Sequence, residues 1–257
     1  MGYVKFLGTA GARFVMARQL RYSAGTWIEL RGTQLLLDPG PGTLLRSRKV
    51  RPPLDSERLS GIILSHRHLD HCTDVNVMVE AMADGGRKRH GVLLAPRDAL
   101  EGEDPVVLRY PRPFLERIEP LAEGRAYQIG EVEVRPVRHL HGMVETYGLI
   151  LNSAEGRLGF VVDTKFTPEL GGRYADCDLL VLNVVRREWT PDVDHLSLPE
   201  AIELIQGVRP KLAVLTHFGM TMLRGKPREL AAQISQQLGI PVIAANDGQT
   251  IRAEEWT

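Results

Sequence analysis

Three histidines and an aspartate fall within the six residues 66–71, inside the stretch SGIILSHRHLDHCTD at residues 60–74. The whole chain has only eight histidines, so this loop concentrates imidazole where an apolar run stops. Neutral imidazole is the commonest protein ligand for borderline transition metals, and a carboxylate adds charge compensation. His66 and His68 are one residue apart, so on extended backbone their rings leave the same side and can grip one ion. Asp70 and His71 follow where the chain turns towards a helix, within reach of a second ion. A helix N-terminus disfavours a cation, and the Asp70 carboxylate would have to offset that dipole. One histidine in a polar loop ordinarily just hydrogen-bonds to its neighbours. The spacing H-x-H-x-D-H instead predicts metal binding, and it requires further ligands from distant parts of the chain.

Those ligands have candidates. PVRHLHG offers His139 and His141, GFVVDT offers Asp163, and AVLTHFG offers His217, each at the end of an apolar run. An α/β architecture places its chemistry at such strand ends. Joined to the loop they complete two ion sites: His66, His68 and His141 around one, Asp70, His71 and His217 around the other, with Asp163 between. His139 and His141 share strand parity, so spacing alone leaves the choice between them open.

The elements that must hold these residues are short apolar runs alternating with helical patterns. Strand candidates are YVKFLG, TWIELRGTQLLLD, GIILS, GVLLA, EVEVRPV, TYGLILN, LGFVVD, LLVLNVV, LAVLTH and PVIAA. Several are nearly continuous in apolar character, which suits strands covered on both faces. SLPEAIELIQG reads as a helix with Ser197 and Glu200 in capping-box register, Pro199 in its first turn and Gly207 as its stop. KPRELAAQISQQLG reads as a helix stopped by Gly239, and Val75–Ala83 as one ended by Gly85-Gly86. Sheets with helices outside them are therefore expected, an α/β chain forming a single domain over residues 1–257.

Composition narrows the function classes. Lys plus Arg number 32 against 32 Asp plus Glu, so no broad basic footprint advertises capture of a large polyanion. No apolar run approaches the roughly 18 residues that cross a bilayer. MGYVKFLGTAG is too short in apolar character for a secretory signal, and Cys72 and Cys177 make no disulfide framework. A soluble cytoplasmic protein is the expectation.

LLLDPG with Asp38, HRHLDH, His141, Asp163 in VVDT and His217 in LTHFG, taken in that order, resemble the motifs of the metallo-β-lactamase superfamily. The resemblance spans about the whole chain. It implies a four-layer αββα sandwich, a centre of two divalent ions along one edge of the two sheets, and a supporting role for Asp38. It also favours His141 over His139, because the family's ligand stands a few residues before a Tyr-Gly-like pair, here Tyr147-Gly148; His139 then supports the site or lines its pocket. Zinc suits the nitrogen and oxygen donors, and manganese or iron also fits.

FLGTAGA, RQLRYSAG and DHLSLPEAIELIQGVRPKLAVLTHFG resemble the ribonuclease Z-like phosphodiesterase branch, where a histidine before a helix contacts the scissile phosphate. That position is His195. The resemblance implies a phosphodiesterase in which a metal-bridging hydroxide attacks, Asp70 orients it, and His195 donates to the phosphoryl or leaving oxygen. Arg13, Arg21, Arg186 and Arg187 are candidate phosphate clamps, with a solvated surface role the default for each. Only GMVETYGLILNSAEGRLGFVV separates His141 from Asp163, leaving no room for the tRNA-gripping arm of ribonuclease Z. A small or short nucleotide-type phosphodiester is thus expected, with tRNA and membrane disfavoured and a homodimer admissible. The rivals are a hydrolase of carboxyl esters, lactones, thioesters or β-lactams on the same ions, and a non-catalytic ligand-sensing member.

Overall fold

The computed structural model describes residues 2–191 and 193–257. Among these residues, fourteen strands form two seven-stranded sheets. The first takes β1 (Tyr3–Phe6), β2 (Thr26–Leu30), β3 (Thr33–Leu37), β4 (Gly61–Ile63), β5 (Val92–Ala95) and β6 (Arg117–Pro120), in that order across the sheet. The second takes β7 (Tyr127–Ile129), β8 (Val132–His139), β9 (Thr146–Ser153), β10 (Gly156–Val161), β11 (Leu179–Asn183), β12 (Leu212–Thr216) and β13 (Val242–Ala244). The last strand, β14 (Thr250–Arg252), crosses back to pair with β1. Each sheet begins antiparallel and becomes parallel, from β3 onward in the first and from β10 onward in the second.

The continuous apolar runs are explained by burial on both faces. In β12, Leu212 and Val214 enter the core between the sheets, while Ala213 and Leu215 face the helices Leu198–Val208 and Pro227–Leu238. In β3, Leu35 and Leu37 face the inner core and Leu36 faces the helix Val75–Met82 on the other flank. Alternate residues therefore serve alternate layers, and helix–sheet–sheet–helix is the arrangement that leaves neither face wet. This is the αββα sandwich expected.

Three local expectations need correction. TWIELRGTQLLLD is two strands, because Arg31 and Gly32 both adopt positive φ (52° and 81°) and form the tight turn of the β2–β3 hairpin. The helix starting after Ser197 keeps its capping box but runs through Gly207 to Val208. It stops at Arg209, left-handed at φ 52°, because Pro210 follows and bars a further α-helical residue. Finally β6, β7 and β14 have no counterpart among the expected strands.

Parallel pairing puts the C-terminal ends of β10, β11 and β12 side by side, and β8 runs in the same sense as β10 through their common neighbour β9. The ends of β3 and β4 are aligned likewise in the first sheet. The sheets are cross-linked at this edge. Tyr147 N donates to Ser65 O (3.0 Å), and Ala10 bridges to Phe218 with Phe218 N donating to Thr9 O (2.8 Å). No helix of the described residues is long and apolar enough to cross a membrane.

Candidate metal centre

β4 delivers Ser65 and His66, after which the chain extends through His68 and turns directly into the short helix Leu69–Cys72. That turn presents Asp70 and His71 beside the histidines they follow. His141 comes two residues after β8, Asp163 two after β10, and His217 immediately after β12. Asp38 and His217 both hold left-handed backbone, at φ 53° and 56°. Strain of that kind in non-glycine residues persists only where surroundings over-determine it, and here both side chains are aimed inward. Gly40 in DPG packs its Cα against the Asp70 and Ser23 carbonyls, and Gly11 packs against the His217 carbonyl; a Cβ fits in neither place.

The donors converge in two trios. His68 Nδ1 lies 3.0 Å from His66 Nε2 and 3.1 Å from His141 Nε2. His71 Nε2 lies 3.0 Å from His217 Nε2, with Asp70 Oδ2 3.6 and 3.4 Å from those two nitrogens. Asp163 stands between the trios. Its Oδ2 is 3.9 Å from His66 Nε2, 3.8 Å from His141 Nε2 and 3.4 Å from His71 Nε2, and its Oδ1 is 3.3 Å from His217 Nδ1. His66, His71, His141, Asp163 and His217 are all buried.

The far sides of the rings decide which nitrogen is free. His141 Nδ1 donates to Asp194 O (2.8 Å), and His71 Nδ1 donates to Asp38 Oδ2 (2.9 Å). In the neutral rings their Nε2 atoms therefore carry lone pairs, and these point at other ring nitrogens. His68 Nδ1 could offer at most one proton to the two acceptors beside it. A cation satisfies the whole set at once, so the residues fit divalent metal. Charge agrees. Burial pushes the His71 ring down, yet Asp70, Asp38 and Asp163 together hold its pKa well above the usual value, so the pocket favours a positive charge there. Burial should raise Asp163 and Asp70, but His217, His195 and His71 around Asp163, and His71 and His217 around Asp70, keep both carboxyls below their usual range.

All eight residues expected at the site come together, His195 included. Its Nδ1 is 3.6 Å from Asp163 Oδ2, and its ring centroid is 4.7 Å from that of His141. It is partly exposed, unlike the rings below it, and burial pushes its pKa down to about 4 against the pull of Asp163. Cys72 stays outside the donor set, its thiol donating to Arg67 O and raised to about 12 by burial. Of the arginine candidates, Arg21 donates to Thr9 Oγ1 (2.9 Å) and lies over the Phe218 ring.

His139 does not line the pocket. β8 ends at His139, the rings of His139 and His141 diverge, and His139 Nε2 meets the buried Tyr174 hydroxyl at 2.9 Å. Burial lowers its pKa to about 3. The unfolded chain therefore takes up a proton near pH 6.5 that the folded ring refuses until about pH 3. Stability attributable to this ring falls as pH drops through that window, by up to about 5 kcal/mol at its acid end. His139→Gln should lose about 3 kcal/mol less than wild type between pH 7 and pH 4 in urea denaturation. Parallel stability profiles for the two proteins would remove this account of His139.

Sequence reasoning missed three supports. Asn183 Nδ2 donates to Asp163 Oδ1 (2.9 Å), Asp194 holds His141 by its carbonyl and Gly142 N by its carboxylate (2.9 Å), and Ser65 contacts both Asp38 and His66. The only available signal was weak: a polar residue closing each of the apolar runs LLVLN and GIILS, and Asp194 adjoining His195.

A family profile described as beta-lactamase superfamily domain matches residues 33–218. The chain is 31% identical over 248 residues to an uncharacterized protein of Methanocaldococcus jannaschii, covering 95% of this chain and 92% of that one. It is 26% identical over 265 residues to a ribonuclease Z of Kineococcus radiotolerans, covering 82% of each. The solved metallo-beta-lactamase fold protein YhfI from Bacillus subtilis superposes with a TM-score of 0.77 at 17% identity, over 97% of this chain and 98% of that one. At that identity the likeness speaks for the fold.

Proposed function

As a member of the metallo-β-lactamase superfamily this chain is a metal-dependent hydrolase, and we propose that the bond it cleaves is a phosphodiester of a small or nucleotide-type substrate. The observation that carries the proposal is His195. It belongs to neither trio, yet it stands over Asp163 and His141 with part of its ring open to solvent. A donor so placed suits the extra oxygens of a phosphoryl group, which a carbonyl substrate lacks. The similarity to a ribonuclease Z supports the same reading.

His66, His68 and His141 would hold one ion, and Asp70, His71 and His217 a second, with Asp163 shared; the nitrogen-rich donor set suits zinc. Bound ions would supply an acidified water and polarise the substrate oxygen. The chain's own residues do the rest. Asp70 orients the attacking water and accepts its proton, and His195 donates an N–H to a phosphoryl or leaving oxygen. Asp38 and the Asp194 carbonyl keep Nε2 of His71 and His141 turned inward.

Substrate size follows from what flanks the site. Between His141 and Asp163 the chain contains only β9 and β10, closed by the turn where Ser153 pairs with Gly156. That leaves a small diester easier to accommodate than tRNA. Leu69, Leu140 and Met143 are exposed beside the ligands, and Trp189 is exposed on the loop that delivers His195. They suit an aryl group or nucleobase on the diester. Trp189→Ala should raise KM for an aryl diester about tenfold with kcat nearly unchanged, since one aromatic stack is worth about 1–3 kcal/mol. An unchanged KM removes Trp189 from the pocket. The test of the proposal itself is turnover of bis-p-nitrophenyl phosphate beside a p-nitrophenyl carboxylate ester by metal-reconstituted protein. Ester turnover alone would transfer the centre to carbonyl chemistry.

A further inference from the structure

Asp38 touches only His71 among the site histidines, yet a single hydroxyl extends it to the other trio. Ser65 Oγ is 2.6 Å from Asp38 Oδ2 and 2.9 Å from His66 Nδ1. The proton count leaves one solution. An ionised carboxylate only accepts, so the Ser65 hydroxyl proton must go to Asp38. The Ser65 oxygen is then left as an acceptor, and His66 must donate to it from Nδ1–H. That tautomer puts the lone pair of His66 on Nε2, the atom facing His68. Asp38 Oδ2 meanwhile accepts from His71 Nδ1 as well, at 2.9 Å. One carboxylate oxygen thus orients a ring in each trio, directly on one side and through Ser65 on the other.

We infer that Ser65 is a positioning residue that sets the His66 tautomer, and through it the metal affinity of the His66–His68–His141 trio alone. The inference rests on the reading of the two trios as ion sites. Its selectivity comes from the backbone. Ser65 N donates to Asp38 Oδ1 at 2.7 Å, a bond that survives loss of the hydroxyl, so Asp38 keeps its place and its grip on His71. Ser65 and His66 are both fully buried, and a missing hydroxyl leaves too little room for water to replace it. In Ser65→Ala, His66 Nδ1 has no partner, and its proton is free to move to Nε2, where it blocks the lone pair.

Zinc titration of the demetallated protein against a competing chromogenic chelator is the test, with 15N NMR of the imidazoles read in parallel. Wild type is expected to take two zinc ions. Ser65→Ala should keep one affinity and lose about 10- to 100-fold in the other, the usual cost of an orienting partner of a metal-bound histidine. Ser65→Thr, which restores the hydroxyl, should recover the lost affinity. Equal weakening of both sites, no weakening of either, or failure of Thr to recover what Ala lost would overturn the inference. If Ser65→Ala fails to fold, the metal-free wild type still decides: His66 protonated at Nδ1 supports the inference, and Nε2 protonation ends it. Because no substrate is used, failure of the phosphodiester reading leaves this result intact, whereas a wild type that binds no zinc defeats the metal centre and this inference with it.

Discussion

His195→Ala should lower kcat for bis-p-nitrophenyl phosphate by about 10²- to 10³-fold while the protein retains wild-type metal content. Removing one donor aimed at developing charge in a water-poor site costs on that order. The geometry says why metal should survive. His195 lies outside both trios and approaches Asp163 at 3.6 Å, and Asp163 is also neighboured by His66, His71, His141, His217 and Asn183. Turnover of a p-nitrophenyl ester should be much less affected, because a carbonyl substrate does not need the additional oxygen contact. Metal analysis on the assayed samples separates a lost donor from a lost ion. Equal losses for both substrates at full metal content would make His195 a general part of the hydrolytic machinery. Undiminished phosphodiester turnover would take it out of the reaction and remove the observation on which the bond assignment rests.

Asp163→Ala should be the more damaging change, lowering activity by about 10³-fold or more and reducing bound metal together. Several kcal/mol of charge stabilisation depend on bound metal, and about 1.4 kcal/mol corresponds to each factor of ten. Among the described residues, Asp163 is the one carboxylate whose oxygens lie within 4 Å of nitrogens from both trios. Its loss leaves His66, His71, His141 and His217 facing one another with less negative charge among them. Exhaustive chelation of wild type should reproduce the loss, and added zinc should reverse it for wild type and not for the variant. Full metal binding by Asp163→Ala would show that the trios hold their ions without a shared carboxylate. Asp163→Asn is a useful companion, since it keeps the volume and the contact to Asn183 while removing the charge.

The residues that were legible in advance share a physical feature. His66, His68, Asp70 and His71 are close along the chain, so their mutual geometry is set by extended backbone running into one helical turn. Asp163 and His217 could be found because each ends an apolar run, and the aligned ends of parallel strands collect such residues at one edge. The capping box of Ser197 and Glu200 was legible for the same local reason. Strands β6, β7 and β14 were not. Arg117–Pro120 carries little apolar signal, Tyr127–Ile129 is only three residues long, and Thr250–Arg252 becomes a strand by pairing with β1 from the opposite end of the chain.

His139 and His141 show where local pattern stops. Parity put both rings on one side, but β8 ends between them, and only packing sends one to Tyr174 and the other to His68. By itself the sequence determined which side chains could donate to metal, their order, and the strand ends that would carry them, because these depend on residue type and neighbouring backbone. The tertiary structure decided which nitrogen of each ring is free and which donors meet. A ring's tautomer is set by the partner on its far side, and the partners are remote: Asp38 is 33 residues from His71, Asp194 is 53 from His141, and His71 faces His217 across 146 residues.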